Sequence, residues 1–161
     1  MNKITFSKIF LSLYALISFA AWAQDDESIL FVTSQQLKPL WTPVKKVAPV
    51  YPSISLSKRE QGCVAVGYII ESDGSTSSHR VVASYPANNF YESSIDAAKQ
   101  FLYEATEANK KRVPVFTINT FTYEIEDNNR YNKEARMETS RICTTAAYKV
   151  LGANVSEAGD D

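Results

Sequence analysis

The segment formed by residues 63–71 constrains the fold more than any other part of the chain. Its residues alternate with a period of two, which is typical of a β-strand. A strand without a polar face is buried on both sides, so we expect this one at the centre of a sheet. One face carries large side chains and the other carries mostly small apolar ones: Val64, Val66, Tyr68 and Ile70 against Cys63, Ala65, Gly67 and Ile69.

Two further strands are predicted after this segment. Residues 72–75 read Ser-Asp-Gly-Ser, which favours a tight turn over a metal loop, and residues 76–84 alternate again. The two alternating runs therefore predict a hairpin. Residues 113–125 are rich in β-branched and aromatic side chains and predict a long strand, and Pro114 places the beginning of that strand at an edge or a bulge.

Three helices are predicted around these strands. A short one covers residues 53–61, between Pro52 and Gly62. A second begins at Asn89, which forms the pattern of a capping box with Glu92, and its apolar residues recur every three or four positions through Ala105. A third covers residues 131–151, and one face of it carries Ile142, Ala146 and Val150.

The order of these elements predicts an α+β fold. If the helix after the hairpin returns the chain across the sheet, the third strand runs antiparallel to the first and pairs with it. We expect a three-stranded antiparallel sheet of order 2-1-3, packed on helix and followed by a C-terminal helical extension. This order leaves the outer edge of the third strand unpaired, and an exposed edge is either an aggregation hazard or a docking site for another strand.

The N-terminus has the anatomy of an export signal. Lys3 and Lys8 precede an apolar run over residues 9–21, which is shorter than the roughly 20 residues of a membrane span. Small residues at the end of this run predict cleavage between Ala23 and Gln24, and the alternative is an uncleaved anchor in the inner membrane. Cleavage lowers the formal charge from −1 to −3, which disfavours nucleic acid as a partner.

The remaining segments complete the predicted domain organisation. Residues 24–48 are mixed and polar, with Pro39 and Pro43, and predict a partly ordered lead-in that acts as a linker. One domain is expected over residues 49–126 and the helical extension over residues 127–152. The acidic tail at residues 153–161 is expected to be disordered.

Cys63 and Cys143 are the two cysteines of a chain that we expect to enter an oxidising compartment. An even pair without metal-like spacing predicts a disulfide, and the alternative is two buried free thiols. A bridge that closes so long a loop contributes about 4 kcal/mol in the chain-entropy treatment.

No combination of residues predicts catalysis, a metal site or a cofactor. His79 is the single histidine, and no carboxylate, cysteine or second histidine lies at a suitable spacing from it. We therefore expect neither an enzyme nor a small-molecule substrate, and we expect His79 at the surface. The basic residues 110–112 are typical of a solvated loop, and the alternative is that they steer an acidic peptide to the strand that follows.

Several motifs occur together in the order found in one known family. They are Pro-Val-Tyr-Pro at 49–52, Gly-Cys-Val-Ala-Val-Gly-Tyr-Ile-Ile at 62–70, Asp-Gly at 73–74, Pro-Ala-Asn-Asn-Phe at 86–90 and Ala-Ala at 97–98. With this order and spacing, residues 49–125 resemble the TonB C-terminal domain. The resemblance implies a periplasmic domain of Gram-negative bacteria that docks outer-membrane receptors and transmits energy for the uptake of iron complexes and vitamins.

The resemblance also implies where a partner binds. In that family the receptor's short TonB-box segment pairs with the edge of the last strand, which is the edge that the predicted strand order leaves open. The partner-binding residues expected on this basis are Val113, Val115, Phe116, Thr117, Ile118, Thr120 and Phe121.

Other parts of the family pattern are absent. The apolar N-terminal run has no histidine, no long proline-rich spacer follows it, Ala48 stands where family members can carry glutamine, and residues 101–105 depart from the aromatic-and-proline close of the family helix. We therefore expect a periplasmic module that binds a peptide or protein, with a TonB-dependent receptor as the candidate partner, without autonomous coupling to the proton-motive force. The alternative is a structural envelope protein that forms a homodimer through the same edge.

Overall fold

The computed structural model describes residues 29–125 and 130–152, with side chains over 29–125 and 137–152. The predicted signal peptide with its cleavage point at Ala23 and Gln24, the first part of the lead-in and the acidic tail lie outside the described residues. The described elements follow in the order β1 (Leu30–Phe31), α1 (Ser34–Leu37), β2 (Trp41–Lys45), α2 (Ser53–Ser57), β3 (Gly62–Ile70), β4 (Thr76–Tyr85), α3 (Tyr91–Ala98), β5 (Leu102–Ala105), a 3-10 turn (Glu107–Asn109), β6 (Val115–Tyr123) and α4 (Arg130–Leu151).

A sheet of order β1-β6-β3-β4 forms the centre of the described fold. β3 pairs antiparallel with β4 on one side and with β6 on the other, while β1 pairs in parallel with β6. The fold is therefore α+β, and β3 lies inside the sheet because both of its faces are apolar. The expected three-stranded sheet is incomplete, since β1 adds a fourth strand beside β6.

Different elements bury the two faces of β3. Its large side chains pack with Phe90 and Phe101 into the main core. On the opposite face, Cys63 and Ala65 pack against α4, where small side chains let the helix approach closely. The Cys63–Cys143 disulfide, with its Cα atoms 6.1 Å apart, ties α4 to β3.

The described part of the lead-in belongs to the fold, although we predicted a partly ordered linker there. Trp41 is 1% exposed and lies in the main core with Val32. β2 pairs antiparallel with β5 in a separate two-stranded sheet. Thr33 caps α1 through a capping box with Gln36, which is visible in the sequence as a Thr and a Gln three positions apart. The prediction missed these elements because each is too short to show a period.

The second predicted helix begins two residues later than expected, and its predicted cap was wrong. α3 begins at Tyr91 with Phe90 as its N-cap residue, and no side chain caps it. Asn89 instead donates from Nδ2 to Glu60 Oε2 at 3.0 Å, so its side chain joins two loops. The first predicted helix is also shorter than expected, because α2 ends at Ser57.

The C-terminal part of the second predicted helix is a strand. α3 ends at Ala98, and β5 then runs through Leu102 and Ala105, which the apolar spacing had placed on the helix. The reason is tertiary: Tyr103 donates its N–H to the Gly74 carbonyl at 2.8 Å. Its buried hydroxyl also lies 2.6 Å from that of Tyr68 on β3. Short apolar runs fit either period, so packing decides between them.

Candidate docking edge

The outer edge of β6 is the side of the strand that faces away from β3. Val32 donates its N–H to the Phe116 carbonyl at 2.9 Å, so the peptide groups of Phe116 point to this outer edge. Backbone groups alternate in direction along a strand, which places the N–H and C=O of Ile118, Thr120 and Thr122 on the same side. β1 pairs with Val115 and Phe116 only.

Residues 118–122 therefore form the part of the edge that β1 does not cover, and we call them the open stretch. Within the described residues, no strand pairs with the outer side of this stretch. The Thr120 carbonyl accepts a 3.4 Å hydrogen bond from Asn119 Nδ2 of its own strand. A sheet edge with free donors and acceptors can pair with a further extended segment.

A lysine from the lead-in flanks the open stretch on the side of the main core. Lys46 donates from Nζ to Asn119 Oδ1 at 2.9 Å, and its Nζ lies 5.5 Å from the centre of the Phe101 ring. Burial lowers the pKa of Lys46 from its ordinary value, because desolvation disfavours the ammonium form. The amine thus places a positive charge next to the edge.

The other side of the open stretch lies under α4. Ile118 is partly buried against the cluster of Cys63, Ala65, Cys143 and Ala147. Thr120 pairs with Ala65 and so extends from the same face of the sheet. The edge is held between the lead-in on one face and a disulfide-fixed helix on the other.

The expected partner-binding residues do not form one continuous free edge. Val113 precedes β6, donates its N–H to Asn109 Oδ1 at 2.9 Å and accepts from Trp41 Nε1 at 3.2 Å. Val115 and Phe116 are paired with β1, and Thr117 donates from Oγ1 to the Val32 carbonyl at 3.1 Å. The side chain of Phe121 is buried in the main core. Ile118 and Thr120 are the members whose peptide groups face outward in the open stretch.

Sequence reasoning missed Lys46 and Asn119 at this site. Asn119 lies among the β-prone residues of β6 without a distinguishing pattern, and Lys46 is 73 positions away in the chain. Only the path of the lead-in brings the two side chains together. No sequence motif signals a contact of this kind.

The side chain of His79 is partly buried and packs against its neighbours in the sheet. Its Nε2 lies 3.0 Å from Thr76 Oγ1, and its ring stacks on Tyr68 with 6.0 Å between centres. Burial lowers the pKa of His79, which favours the neutral ring. Among the described residues, no group of three or more histidine, cysteine, aspartate or glutamate side chains is placed to hold a metal.

The fold and the edge define a small α+β domain with helices on both faces of the sheet and a partly covered edge strand. A family model described as the Gram-negative bacterial TonB protein C-terminal matches residues 47–125. Through this segment the chain belongs to the TonB C-terminal domain family. TonB C-terminal domains are interaction modules without enzymatic activity.

A solved structure supports this assignment. The chain is similar to the solution NMR structure of the Pseudomonas aeruginosa TonB C-terminal domain, with 26% identity and a TM-score of 0.51. The match covers 55% of this chain and 90% of that one. No curated protein matches the chain significantly. None of the helices in the described residues has the length and hydropathy needed to cross a membrane.

Proposed function

We propose that this protein is a periplasmic binding module that docks an extended segment of another protein along the outer edge of β6. A TonB-dependent outer-membrane receptor is the candidate partner, because the family generally interacts with such receptors. The observation that carries the proposal is the open stretch, whose outward peptide groups at Ile118, Thr120 and Thr122 pair with no described strand. Strand addition supplies affinity through main-chain hydrogen bonds.

The positive charge of Lys46 beside the edge favours a partner with acidic side chains. The Lys46 amine lies at the edge with Asn119 as its hydrogen-bond acceptor, and no carboxylate forms a salt bridge with it among the described residues. An incoming segment with an acidic side chain at this level gains a charge-assisted contact. The proposed module therefore favours an extended, partly acidic peptide.

A second candidate function uses the same edge between two copies of this chain. Unpaired edges pair with identical strands as readily as with foreign ones, and such pairing produces a homodimer. The two functions differ in their response to peptide. A docking module binds peptide as a monomer, whereas a structural protein forms a dimer that peptide does not change.

The experiment compares Thr120→Pro with Thr120→Ala in the mature protein. Proline removes the outward N–H of residue 120 but leaves the ladder to β3 intact, because proline is tolerated where a strand N–H faces outward. Binding of a fluorescent TonB-box heptapeptide is measured by anisotropy, and mass is measured by light scattering. We expect Thr120→Pro to lose at least about tenfold in affinity while Thr120→Ala binds like the wild type.

Two results would contradict the proposal. Equal affinity of the proline and alanine variants would place the peptide somewhere other than this edge. A stable dimer of the wild type, with no measurable peptide binding, would favour the structural alternative. Circular dichroism of both variants checks that the sheet is retained.

A further inference from the structure

We propose that α4 forms a second wall of the docking edge, and that Arg141 on this wall selects a partner segment with two acidic side chains three positions apart. The inference rests on the proposed function for the location of the partner along β6. α4 begins at Arg130, after the family-matched residues 47–125. The wall is therefore formed by a part of this chain outside the matched segment.

One side of α4 faces the outer edge of β6. Tyr148 of α4 donates its hydroxyl hydrogen to Gln35 Oε1 of α1 at 3.0 Å. α1 directly follows β1 and Val32, which pair with the outer edge. Arg141 and Thr144 lie seven and four positions before Tyr148, and residues at these spacings share one side of a helix. Arg141 and Thr144 therefore lie on the side of α4 towards the docking edge.

The disulfide fixes the level of Arg141 along the open stretch. Cys143 of α4 is bonded to Cys63, and Cys63 pairs with Thr122 of β6. Arg141 precedes Cys143 by two positions, which correspond to about 3 Å along a helix axis. The backbone of Arg141 therefore lies close to the level of Thr122, and its long side chain can reach a partner residue at that level.

Lys46 and Arg141 meet opposite faces of a docked strand. Lys46 lies at the level of Asn119, to which it donates a hydrogen bond, on the side of the main core. Opposed residues of paired strands extend to the same face, and the face alternates along each strand. A partner residue opposite Asn119 therefore faces Lys46, and one opposite Thr122 faces α4. These two partner residues are three positions apart whichever direction the partner runs.

The guanidinium group of Arg141 is accessible to an acidic partner. Its Nε and Nη2 each donate to a carboxylate oxygen of Glu138 at 3.0 Å, and both side chains are exposed. Exposed ion pairs of this kind contribute little to stability, so a partner carboxylate can replace Glu138 at low cost. Two acidic side chains with the three-residue spacing therefore contact Lys46 and Arg141 at the same time.

The test compares two fluorescent heptapeptides of threonine and valine that each carry two glutamates. One has its glutamates at the second and fifth positions and its isomer has them at the second and fourth, so charge and composition are equal. Anisotropy measures their binding to the wild type, Arg141→Gln, Glu138→Gln and the control Lys149→Gln. Lys149 is an exposed cation of α4 that is rotated by about 100° from Tyr148, off the side towards the edge. Circular dichroism checks the fold of each variant.

We expect the wild type and Lys149→Gln to bind the peptide with the three-residue spacing about threefold more tightly than its isomer. Arg141→Gln is expected to bind both peptides alike. Glu138→Gln is expected to widen the preference, because Arg141 then has no acceptor of its own at this position. If the preference persists in Arg141→Gln, or is lost equally in Lys149→Gln, the inference is wrong.

Thr120→Pro separates this inference from the proposed function. If the proline variant loses binding but the wild type does not distinguish the two isomers, docking at β6 stands and the inference is overturned. The same conclusion follows if the TonB-box heptapeptide binds the wild type and neither glutamate peptide does. If Thr120→Pro binds all three peptides like the wild type, or if no peptide binds the wild type, both proposals are overturned.

Discussion

At the scale of single residues, the Phe116 ring of β6 lies so close to Gly67 of β3 that position 67 has no room for a side chain. A Cβ atom at Gly67 would lie 2.4 Å from Phe116 Cζ and 3.1 Å from Val82 Cγ2. The Phe116 ring has little room to move, because Phe31 and Arg80 both contact it. Glycine is needed here for close approach.

We expect Gly67→Ala to lower the free energy of unfolding by about 1–3 kcal/mol, because the added methyl group overpacks this face. Urea denaturation measures the change. Combining it with Phe116→Leu makes room for the methyl group, so the double variant is expected to lose less than the sum of the two single losses. Additive losses would show that the two side chains do not compete for this space.

Three buried tyrosines make the free energy of unfolding depend on pH in the alkaline range. Burial raises the pKa of Tyr68 well above its ordinary value, and the adjacent Tyr103 hydroxyl adds to the shift. Burial also raises the pKa of Tyr103 and of Tyr123. The folded state therefore holds these protons more tightly than the unfolded state, whose tyrosines titrate at about 10. Their contribution to stability is complete below that pH and is lost as the pH rises towards the folded pKa values.

We expect urea denaturation at pH 8 and at about pH 10.5 to show a lower free energy of unfolding at the higher pH. Tyr68→Phe/Tyr103→Phe removes two of the responsible groups and is expected to make this loss smaller. Tyr85→Phe, at an exposed position of β4, is expected to behave like the wild type. A loss of the same size in all three proteins would contradict the role given to the buried pair.

At the scale of elements, the described lead-in contributes to the core rather than connecting to it. Trp41 lies in the main core and Val32 lies beside β6. Tyr148 of α4 donates its hydroxyl hydrogen to Gln35 Oε1 of α1 at 3.0 Å. The lead-in therefore contacts both sides of the sheet before the family-matched segment begins.

We expect Trp41→Ala to lower the free energy of unfolding by about 3–5 kcal/mol, since it removes a buried indole and its hydrogen bond to the Val113 carbonyl. Val44→Ala on the same strand is the control, because Val44 is 58% exposed and its truncation is expected to change stability by less than about 0.5 kcal/mol. Chemical denaturation of both variants gives the comparison. If Trp41→Ala were as mild as its control, the segment would be a linker after all.

The disulfide belongs to the same scale, because it fixes α4 on the small-residue face of β3. Cys63 and Cys143 are separated by 80 positions, so their bridge strongly restricts the unfolded chain. We expect Cys63→Ala/Cys143→Ala to lower the free energy of unfolding by about 2–4 kcal/mol. Ile142→Ala, at an exposed position next to Cys143, is the control. Two free thiols in a titration of the unreduced protein would contradict the bridge.

The central part of the sheet could be predicted because the residues that determine it are neighbours in the sequence. The two apolar faces of residues 63–71 require burial on both sides, and the Asp73–Gly74 turn requires a hairpin. β1 could not be predicted, since two residues have no measurable period and their partner is 85 positions away. Residues 102–105 were misread for a related reason, because their apolar spacing fits a helix until Tyr103 meets Tyr68.

Part of the candidate site could be predicted from the sequence, and part of it could not. Topology alone indicated that β6 has an outer edge, but topology could not show that part of this edge is covered by the chain itself. The contact of Lys46 with Asn119 likewise depends on the path of the lead-in. Long-range contacts of this kind carry no local sequence signal, and they are what changed a continuous predicted edge into a shorter open stretch.

At the scale of the whole molecule, the sheet is covered on both faces, and the proposed docking edge lies along β6. The lead-in contacts this edge at Phe116 and again at Asn119, so it sets both the length and the charge of the surface that a partner meets. α4 and its disulfide hold the opposite face in place. This arrangement suits a module that binds one extended segment at a time.

Backbone NMR of the isotope-labelled mature protein, titrated with a TonB-box heptapeptide, tests this account most directly. The account predicts that the largest amide shifts and new protection from hydrogen exchange occur at Ile118, Thr120 and Thr122. β4 serves as the internal control, because it is the other outer strand of the same sheet. Shifts centred on β4 or on α2, with residues 118–122 unchanged, would contradict docking at the edge of β6.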